Sequence, residues 1–531
     1  MTNSLRLAAA LVARGLKPEV RGLTRAMTAL RAAALLLLLA SAALAQDRPS
    51  EEDIFGKPAE AKPPRPGPSS TQATPGEPEK PKEPAGEAER GGPRALEPEP
   101  GVEGRLLSGL ARTEDPLKIG GVLYLRSNLS SREHTPPSQW TLNAPTLTDV
   151  YLDARPIDRV RGFVLGRMFF DPTLTANATG LLPGTALPPN PQVLLDQLWL
   201  RFDVERTAFL TLGRQHVKWG VGRFWNPTDY LHAVRRDPLA VFDERTGTTM
   251  ARVDVPWEAR GWNFSAVAVF EPLVTQATTA FVSSLAEPTV GTAAAQGTPS
   301  NQLGAIGGGA RAELVLGSWE LGLDAVAQRG IRPRYGIDLS GGIWELDVRG
   351  ELSLRTSSDV PLYRGTLASF ATYEPAGIRP AAVMAADWSH KYSDEDSFTV
   401  GAEYFYNSNG YGYDDRSLYP VLFLNNAFTP FYLGRHYAGA YLLLPRPGSW
   451  NLHSFTLSAL ANLSDHSAIA RLDWNMTLLT YLVLEAYLQA HLGTNGGEFR
   501  LGVDIPRGAT TPAVFVGAPI ADLGLALRLS L

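Results

Sequence analysis

The sequence predicts an all-β protein, a transmembrane antiparallel outer-membrane β-barrel of about 18 strands, with 16 as the alternative count, behind a disordered N-terminal arm. Leucine occupies every odd position of the last nine residues, Leu523 to Leu531 (LGLALRLSL), and therefore one face of a strand. Similar alternating segments recur upstream as far as Leu117. A secretory signal at the other end places the chain in the bacterial envelope.

Residues 1–45 are predicted to be that signal peptide. Arg31 precedes a leucine-rich run, and Ala43-Leu44-Ala45 has the small-residue spacing of a cleavage site. The basic stretch before Met27 is long for a leader, so either the signal is extended or the true start is Met27.

Residues 46–110 are predicted to be a disordered periplasmic linker. Pro, Glu, Lys and Gly dominate this segment, and it has too few aliphatic residues to offset its chain entropy. The part from Gln46 to Gly104 is long enough to reach a periplasmic or cell-wall partner.

Residues 111–531 are predicted to form the barrel. In Leu346–Arg355, Leu346, Val348, Leu352 and Leu354 share one face and the charged residues share the other. Strands of this kind are predicted at 117–126, 146–155, 160–170, 193–204, 207–219, 248–257, 261–270, 303–316, 318–329, 334–340, 345–355, 380–389, 397–407, 435–445, 451–461, 466–475, 478–491 and 520–531.

The connections distinguish a barrel from a soluble sandwich. Long connections follow most odd-numbered strands, as at 220–247 and 408–434, and short ones such as Glu205-Arg206, Gly317 or Met476-Thr477 follow even-numbered strands. Two connections that the pattern expects to be long, near Gly330–Pro333 and Leu463–Asp465, are short. Segregated loops are typical of a barrel with long outer loops and tight periplasmic turns.

Composition excludes several classes of function. The chain has no cysteine, so it has no disulfide and no thiolate metal site. Its 8 histidines lack the spacing of a metalloprotease motif, and its net charge of -5 argues against nucleic acid as a partner. We therefore expect no enzyme, no catalytic residue, no metal site and no cofactor. His216 and His232 are interpreted as lumen or loop residues.

The densest polar segment is Gly213–Leu231 (GRQHVKWGVGRFWNPTDYL). Arg214, His216 and Lys218 share one face of the strand predicted at 207–219, and that face must be the lumen because cations facing lipid are costly. The predicted channel-lining and constriction residues are Arg201, Asp203, Arg214, His216, Lys218, Arg223, Asp229, Arg252 and Asp254. Alternatively, Arg214–Asp229 form salt bridges that hold strand and loop together, and both roles can coexist.

The string GRQ…WG…NPTD between two barrel strands resembles porin-like outer-membrane barrels of the alginate-export type. The resemblance covers about 30 residues well and the rest through the barrel pattern. It implies a pore lined by charged side chains, with Arg214, Lys218 and Arg223 among them. Such barrels usually end in an aromatic residue, whereas this chain ends in Leu531.

The predicted function is a porin-like outer-membrane channel for small hydrophilic solutes or ions, surrounded by outer-membrane lipid and lipopolysaccharide. Arginines and carboxylates on the predicted inner faces nearly balance, whereas a polyanion exporter needs a positive excess along its path. Export of an acidic exopolysaccharide is the first alternative. A plugged barrel with a structural or docking role is the second.

Overall fold

The computed structural model describes residues 116–174, 189–241, 243–273, 303–366, 369–425, 427–505 and 514–531. The predicted signal peptide, and the predicted linker with it, lie outside these residues. Among them, eighteen long strands and the three-residue strand Thr141–Asn143 form one antiparallel sheet that closes on itself. The prediction of an 18-stranded barrel is confirmed.

The barrel strands alternate in direction in chain order. They are β1 Leu117–Arg132, β2 Thr146–Ile157, β3 Val160–Phe170, β4 Gln192–Val204, β5 Ala208–Gln215, β6 Thr248–Trp257, β7 Trp262–Val269, β8 Gly307–Leu316, β9 Trp319–Gln328, β10 Ile331–Ile343, β11 Leu346–Thr356, β12 Ile378–Lys391, β13 Ser397–Asn407, β14 His436–Pro445, β15 His453–Asn462, β16 Ser467–Leu479, β17 Leu482–Gly493 and β18 Pro519–Ser530.

The C-terminal strand closes the barrel. Strand β18 pairs with β17 on one side and with β1 on the other, in a register that runs from Val122 opposite Ser530 to Arg132 opposite Pro519. Closure leaves no open sheet edge, which is the condition for crossing a bilayer with strands. No helix among the described residues is long and apolar enough to span a membrane.

Alternation along each strand separates two environments. On β2, Val150 and Leu152 point outward and are 53% and 40% exposed, whereas Asp149 and Asp153 point inward and are buried. Tryptophans cluster near the short turns, where Trp257, Trp262, Trp344, Trp388 and Trp450 form an aromatic belt. An apolar outer face with an aromatic belt fits a bilayer.

Inside the barrel, charges pair across neighbouring strands. Arg167 on β3 contacts Asp149 on β2 at 2.8 Å, and Arg311 on β8 contacts Asp324 on β9 at 3.1 Å. Arg471 contacts Asp473 two positions along its own strand, at 2.8 Å. The lumen is therefore polar, and its charges pair both across neighbouring strands and along single strands.

Loop lengths segregate as predicted, and the two exceptions, between β9 and β10 and between β15 and β16, are also present. Some boundaries differ from the prediction. Strand β16 continues to Leu479, so the turn after it lies at Thr480-Tyr481 and not at Met476-Thr477. Strand β8 begins at Gly307, because Leu303–Ala305 form a 3₁₀ turn.

Strand β5 ends at Gln215, four residues before the predicted end. Its neighbour β6 begins at Thr248, which pairs with Gln215, so no backbone is left for residues 216–219 to pair with in the sheet. The segment leaves the wall here and enters the lumen.

Three long loops meet at one end of the barrel and form a hydrophobic cluster of their own. The loop between β13 and β14 contributes the short helix Tyr419–Leu424, whose Leu422 is fully buried. Leu501 and Val503, from the loop between β17 and β18, pack against it, as does Tyr363 from the loop between β11 and β12. We call this cluster the loop cap.

Candidate functional site: an inward-folded loop

The connection between β5 and β6, residues 216–247, folds into the barrel, and we call it the inner loop. It reaches Glu351 on β11, whose carboxylate accepts hydrogen bonds from the backbone N–H groups of Val221 and Gly222. The same carboxylate accepts the Thr228 hydroxyl at 2.9 Å. A buried carboxylate on the wall thus satisfies loop backbone donors that would otherwise be unpaired.

Glu403 on β13 anchors the next stretch of the inner loop. Its carboxylate accepts the backbone N–H groups of Arg223 and Trp225, both at 2.8 Å, and the N–H of Phe224 at 3.2 Å. Hydrogen bonds to an ionised acceptor are stronger than neutral ones. Two carboxylates from two strands therefore fix residues 221–228 against the wall opposite the loop's origin.

Aromatic packing completes this anchor. Trp225 is fully buried, stacks on Phe405 with ring centroids 5.6 Å apart, and donates its indole N–H to the Phe431 carbonyl at 2.9 Å. The guanidinium of Arg223 lies 3.3 Å from the centre of the Tyr441 ring. The apolar residues of the inner loop, which is otherwise rich in glycine and charged residues, thus pack on the inner wall of the barrel.

The returning arm of the inner loop is held by ions. Arg245 contacts Asp229 at 2.8 Å and Asp243 at 2.6 Å, and Asp229 also contacts His232 at 2.9 Å. Although burial alone would raise it, contacts with His232 and Arg245 hold the pKa of Asp229 well below its ordinary value. Asp229 is therefore ionised throughout the physiological pH range.

Further contacts fix the two ends of the inner loop. Asp196, at a register shift on β4, accepts the Gly247 N–H at 3.0 Å and contacts His216 at 2.8 Å and Arg167 at 3.3 Å. Arg126 on β1 contacts Glu244 at 2.9 Å. Arg167 on β3 also donates to the Asp243 carbonyl at 3.5 Å, so the inner loop is tied to β1, β3, β4, β11 and β13.

A cavity of about 540 Å³ lies beside the inner loop, bordered by β1, β11, β16, β17 and the loop cap. Its lining carries seven arginines and seven carboxylates. Arg334 and Arg355 are paired in register on β10 and β11, and Arg235 of the inner loop lines the same cavity. Asp359 contacts Arg334 at 2.9 Å and Arg355 at 3.6 Å. The Nε atoms of Arg334 and Arg355 have no hydrogen-bond partner among the described residues.

Of the residues predicted to line a constriction, Asp229 borders this cavity. Arg252 and Asp254 form a 2.8 Å ion pair on the inner face of β6. Arg201, whose guanidinium lies over the Phe209 ring, and Asp203, which accepts the Arg206 N–H, lie near the short-turn end of β4. Because of their positions along β4 and β6, these four residues do not lie beside the inner loop.

The prediction that Arg214, His216 and Lys218 share one face of a strand is wrong, because the strand ends at Gln215. Arg214 is paired in register with Leu198 on β4 and with Thr249 on β6. It therefore lies on the same face of the sheet as the exposed Leu212. Arg214 contacts Glu271 at 2.7 Å, so its charge is paired near the outer rim. His216 and Lys218 belong to the inner loop.

The main anchors, Glu351 and Glu403, lie on the polar faces of predicted strands, and nothing in the sequence marks them as partners of the inner loop. Their partners in the loop are 123 to 180 residues away in the chain. The sequence signal was their position on the polar face of alternating strands. That position indicates which way each side chain points, but not which residue it contacts. Arg334 had no signal beyond its position beside a short connection.

No family model matches the chain, and neither does any curated protein. Among solved structures, the chain is similar to the outer-membrane protein OpdK of Pseudomonas aeruginosa (11% identity, 78% of this chain and 98% of that chain, TM-score 0.43). It is also similar to OccK8 (OprE) of the same organism (9%, 79% and 99%, 0.46) and to a BenF-like porin of Pseudomonas fluorescens (12%, 78% and 98%, 0.44). At these identities and TM-scores the similarity adds no argument beyond the barrel itself.

Proposed function

We propose that the chain is an outer-membrane, porin-like channel for small hydrophilic solutes or ions, narrowed by the inner loop. The observation that carries the proposal is a loop fixed across a polar lumen by Glu351 and Glu403, beside a cavity of about 540 Å³. A barrel of 16 to 18 strands is wide enough for an aqueous path, and a cavity of this volume suits a small molecule.

The charges of the lining support weak rather than strong selectivity. Arginines and carboxylates are equal in number, and most are paired. In the group Arg235, Arg334 and Arg355, three guanidinium groups share one ion-paired carboxylate among the described residues, that of Asp359. A local positive excess in an otherwise balanced lumen favours anions modestly.

Reversal potentials in a planar bilayer under a KCl gradient test this proposal. The folded channel should conduct and weakly prefer chloride, and the double variant Arg235→Gln/Arg355→Gln should shift the reversal potential toward cation preference. Arg206→Gln/Arg260→Gln, at exposed positions in the short turns after β4 and β6, is the matched control for loss of two positive charges. Protein that is folded by heat-modifiability on a gel but electrically silent contradicts the channel and supports a plugged barrel.

Export of an acidic exopolysaccharide is a second candidate, supported by the resemblance of Gly213–Leu231 to alginate-export barrels and by the arginine group. It requires strong anion selectivity. The pairing of Arg214 with Glu271 argues against Arg214 as a contact for a polyanion.

The proposed location follows from the barrel. We propose that the tight turns face the periplasm, as is usual in outer-membrane barrels, so that the loop cap lies outside the cell and both barrel ends lie in the periplasm. Residues 46–104 then form a periplasmic tether to a cell-wall or periplasmic partner, and lipid with lipopolysaccharide surrounds the outer face.

A further inference from the structure

Two histidines meet where the inner loop leaves and rejoins the wall. His216 Nδ1 and His232 Nε2 are 3.4 Å apart, although the residues are 16 positions apart in the chain. The outer nitrogen of each ring faces a carboxylate: His216 Nε2 lies 2.8 Å from Asp196 and His232 Nδ1 lies 2.9 Å from Asp229. The four side chains form a line of Asp, His, His and Asp.

The hydrogen bonds of the two carboxylates determine the tautomers of neutral His216 and His232. Asp196 also accepts the Gly247 N–H and contacts Arg167, and Asp229 also contacts Arg245, so both carboxylates are held in the ionised form. An ionised carboxylate can only accept, so each ring presents its N–H to its aspartate. A neutral imidazole has one N–H. The two inner nitrogens therefore both carry lone pairs and face each other without a donor.

The distance between these nitrogens matches the requirement of a shared metal ion. Two nitrogens bound at 2.0–2.1 Å to a tetrahedral Zn²⁺ lie about 3.4 Å apart. A carboxylate that accepts the other N–H of a ligand histidine is the usual outer partner of such a site. We propose that His216 and His232 bind a divalent transition-metal ion of the Zn²⁺ class.

Access supports the same site. His232 borders the lumen cavity, which provides an entry path. Among the described residues, no group of three or more His, Asp or Glu side chains is placed to hold a metal ion, so the proposed site has two protein ligands and water would complete the coordination.

Isothermal titration of the folded full-length protein in detergent at pH 7.5 with ZnCl₂ tests the site. One Zn²⁺ should bind per chain, and binding should weaken at lower pH because both ligand nitrogens must be free of protons. His216→Ala and His232→Ala should each lower the affinity at least about tenfold, and Asp229→Asn about 10- to 100-fold. His390→Ala, which removes an exposed histidine stacked on Trp388, should bind as the wild type does.

Binding is measured without any current, so failure of this site leaves the channel proposal standing, and an electrically silent barrel leaves this site standing. Heat-modifiability on a gel identifies variants that no longer fold, and Co²⁺ absorption in the visible range reports tetrahedral geometry independently of affinity. Absence of Zn²⁺ binding by the wild type, which would leave the pair sharing only a proton, overturns the proposal. Equal Zn²⁺ affinity in a folded His216→Ala/His232→Ala variant overturns it too.

Discussion

At the scale of single residues, the geometry of the inner loop depends on two wall carboxylates. Glu403→Gln should loosen the inner loop, because its amide presents N–H donors to the N–H groups of Arg223 and Trp225. Hydrogen bonds to a charged group contribute about 1.5–3 kcal/mol each, so amide exchange of residues 223–225 should accelerate on the order of tenfold to a hundredfold. Hydrogen–deuterium exchange measures this directly, and open-channel current noise should rise in parallel.

Glu345→Gln is the matched control, since Glu345 accepts the Trp388 indole N–H in an exposed position at a short turn. It should leave exchange in the inner loop unchanged. If the amides of residues 223–225 exchange as slowly in the Glu403→Gln variant as in the wild type, the Glu403 carboxylate does not hold the inner loop.

Gly222 allows the tight turn that brings these amides together. A Cβ atom at this position would lie 1.9 Å from the Trp225 carbonyl oxygen, so Gly222→Ala requires the loop backbone to move. We expect single-channel conductance to change while the barrel still folds. Gly412→Ala is the control, because the nearest atom to its Cβ would be 3.6 Å away, and its conductance should equal that of the wild type. Identical conductance in Gly222→Ala would show that the turn does not set the pore.

At the scale of elements, side-chain alternation was enough to predict all eighteen barrel strands, because a lipid face and a polar lumen impose a period of two on each of them. The prediction failed where the alternating pattern continued beyond the last residue that can pair with a neighbouring strand. The residues His216, Val217 and Lys218 alternate like a strand, but β6 begins at Thr248, and backbone hydrogen bonding then ends β5. Docking of the loop on Glu351 and Glu403 depends on contacts distant in the chain, which periodicity cannot reveal.

The loop cap carries a pH-sensitive link between loops. Glu498 accepts the Tyr437 hydroxyl at 2.6 Å, the Asn462 amide at 2.7 Å and the Phe431 N–H. Burial, together with the nearby Asp465, raises the pKa of Glu498 to about 8 from its ordinary 4.5. The docked loops therefore bind a proton that free loops release, and their stability should be greatest below about pH 4.5 and fall as the pH rises toward 8.

Amide exchange at residues 427–433 should show this trend when the wild type is compared with Glu498→Gln at each pH, which cancels the intrinsic pH dependence of exchange. The glutamine stays neutral, so the ratio of the two rates should increase between about pH 5 and 8. A constant ratio would mean that Glu498 does not titrate in this range. The groups that face it are Asp465, Tyr437 and, through Asp465, Tyr419.

At the scale of the whole molecule, the barrel is closed by residues from Leu117 onward. Each of the eighteen strands pairs with two neighbours, and β18 joins β1 over Val122–Arg132. The backbone ladder therefore requires no residue of the predicted N-terminal arm. The expected effect of removing the arm therefore follows from the completeness of the backbone ladder and not from any property of the arm.

Deleting residues 46–104 should leave barrel assembly unchanged, because every pair in the closed ladder remains. Heat-modifiability on a gel and the thermal midpoint of its loss should match those of the full-length chain. The matched comparison is truncation from the other end, before Leu523, which removes most of the residues of β18 that pair with β1 and β17 and should abolish assembly. An arm deletion that fails to assemble would show that the arm is part of the folded barrel, and a steep rise in conductance would show that the arm acts as a plug.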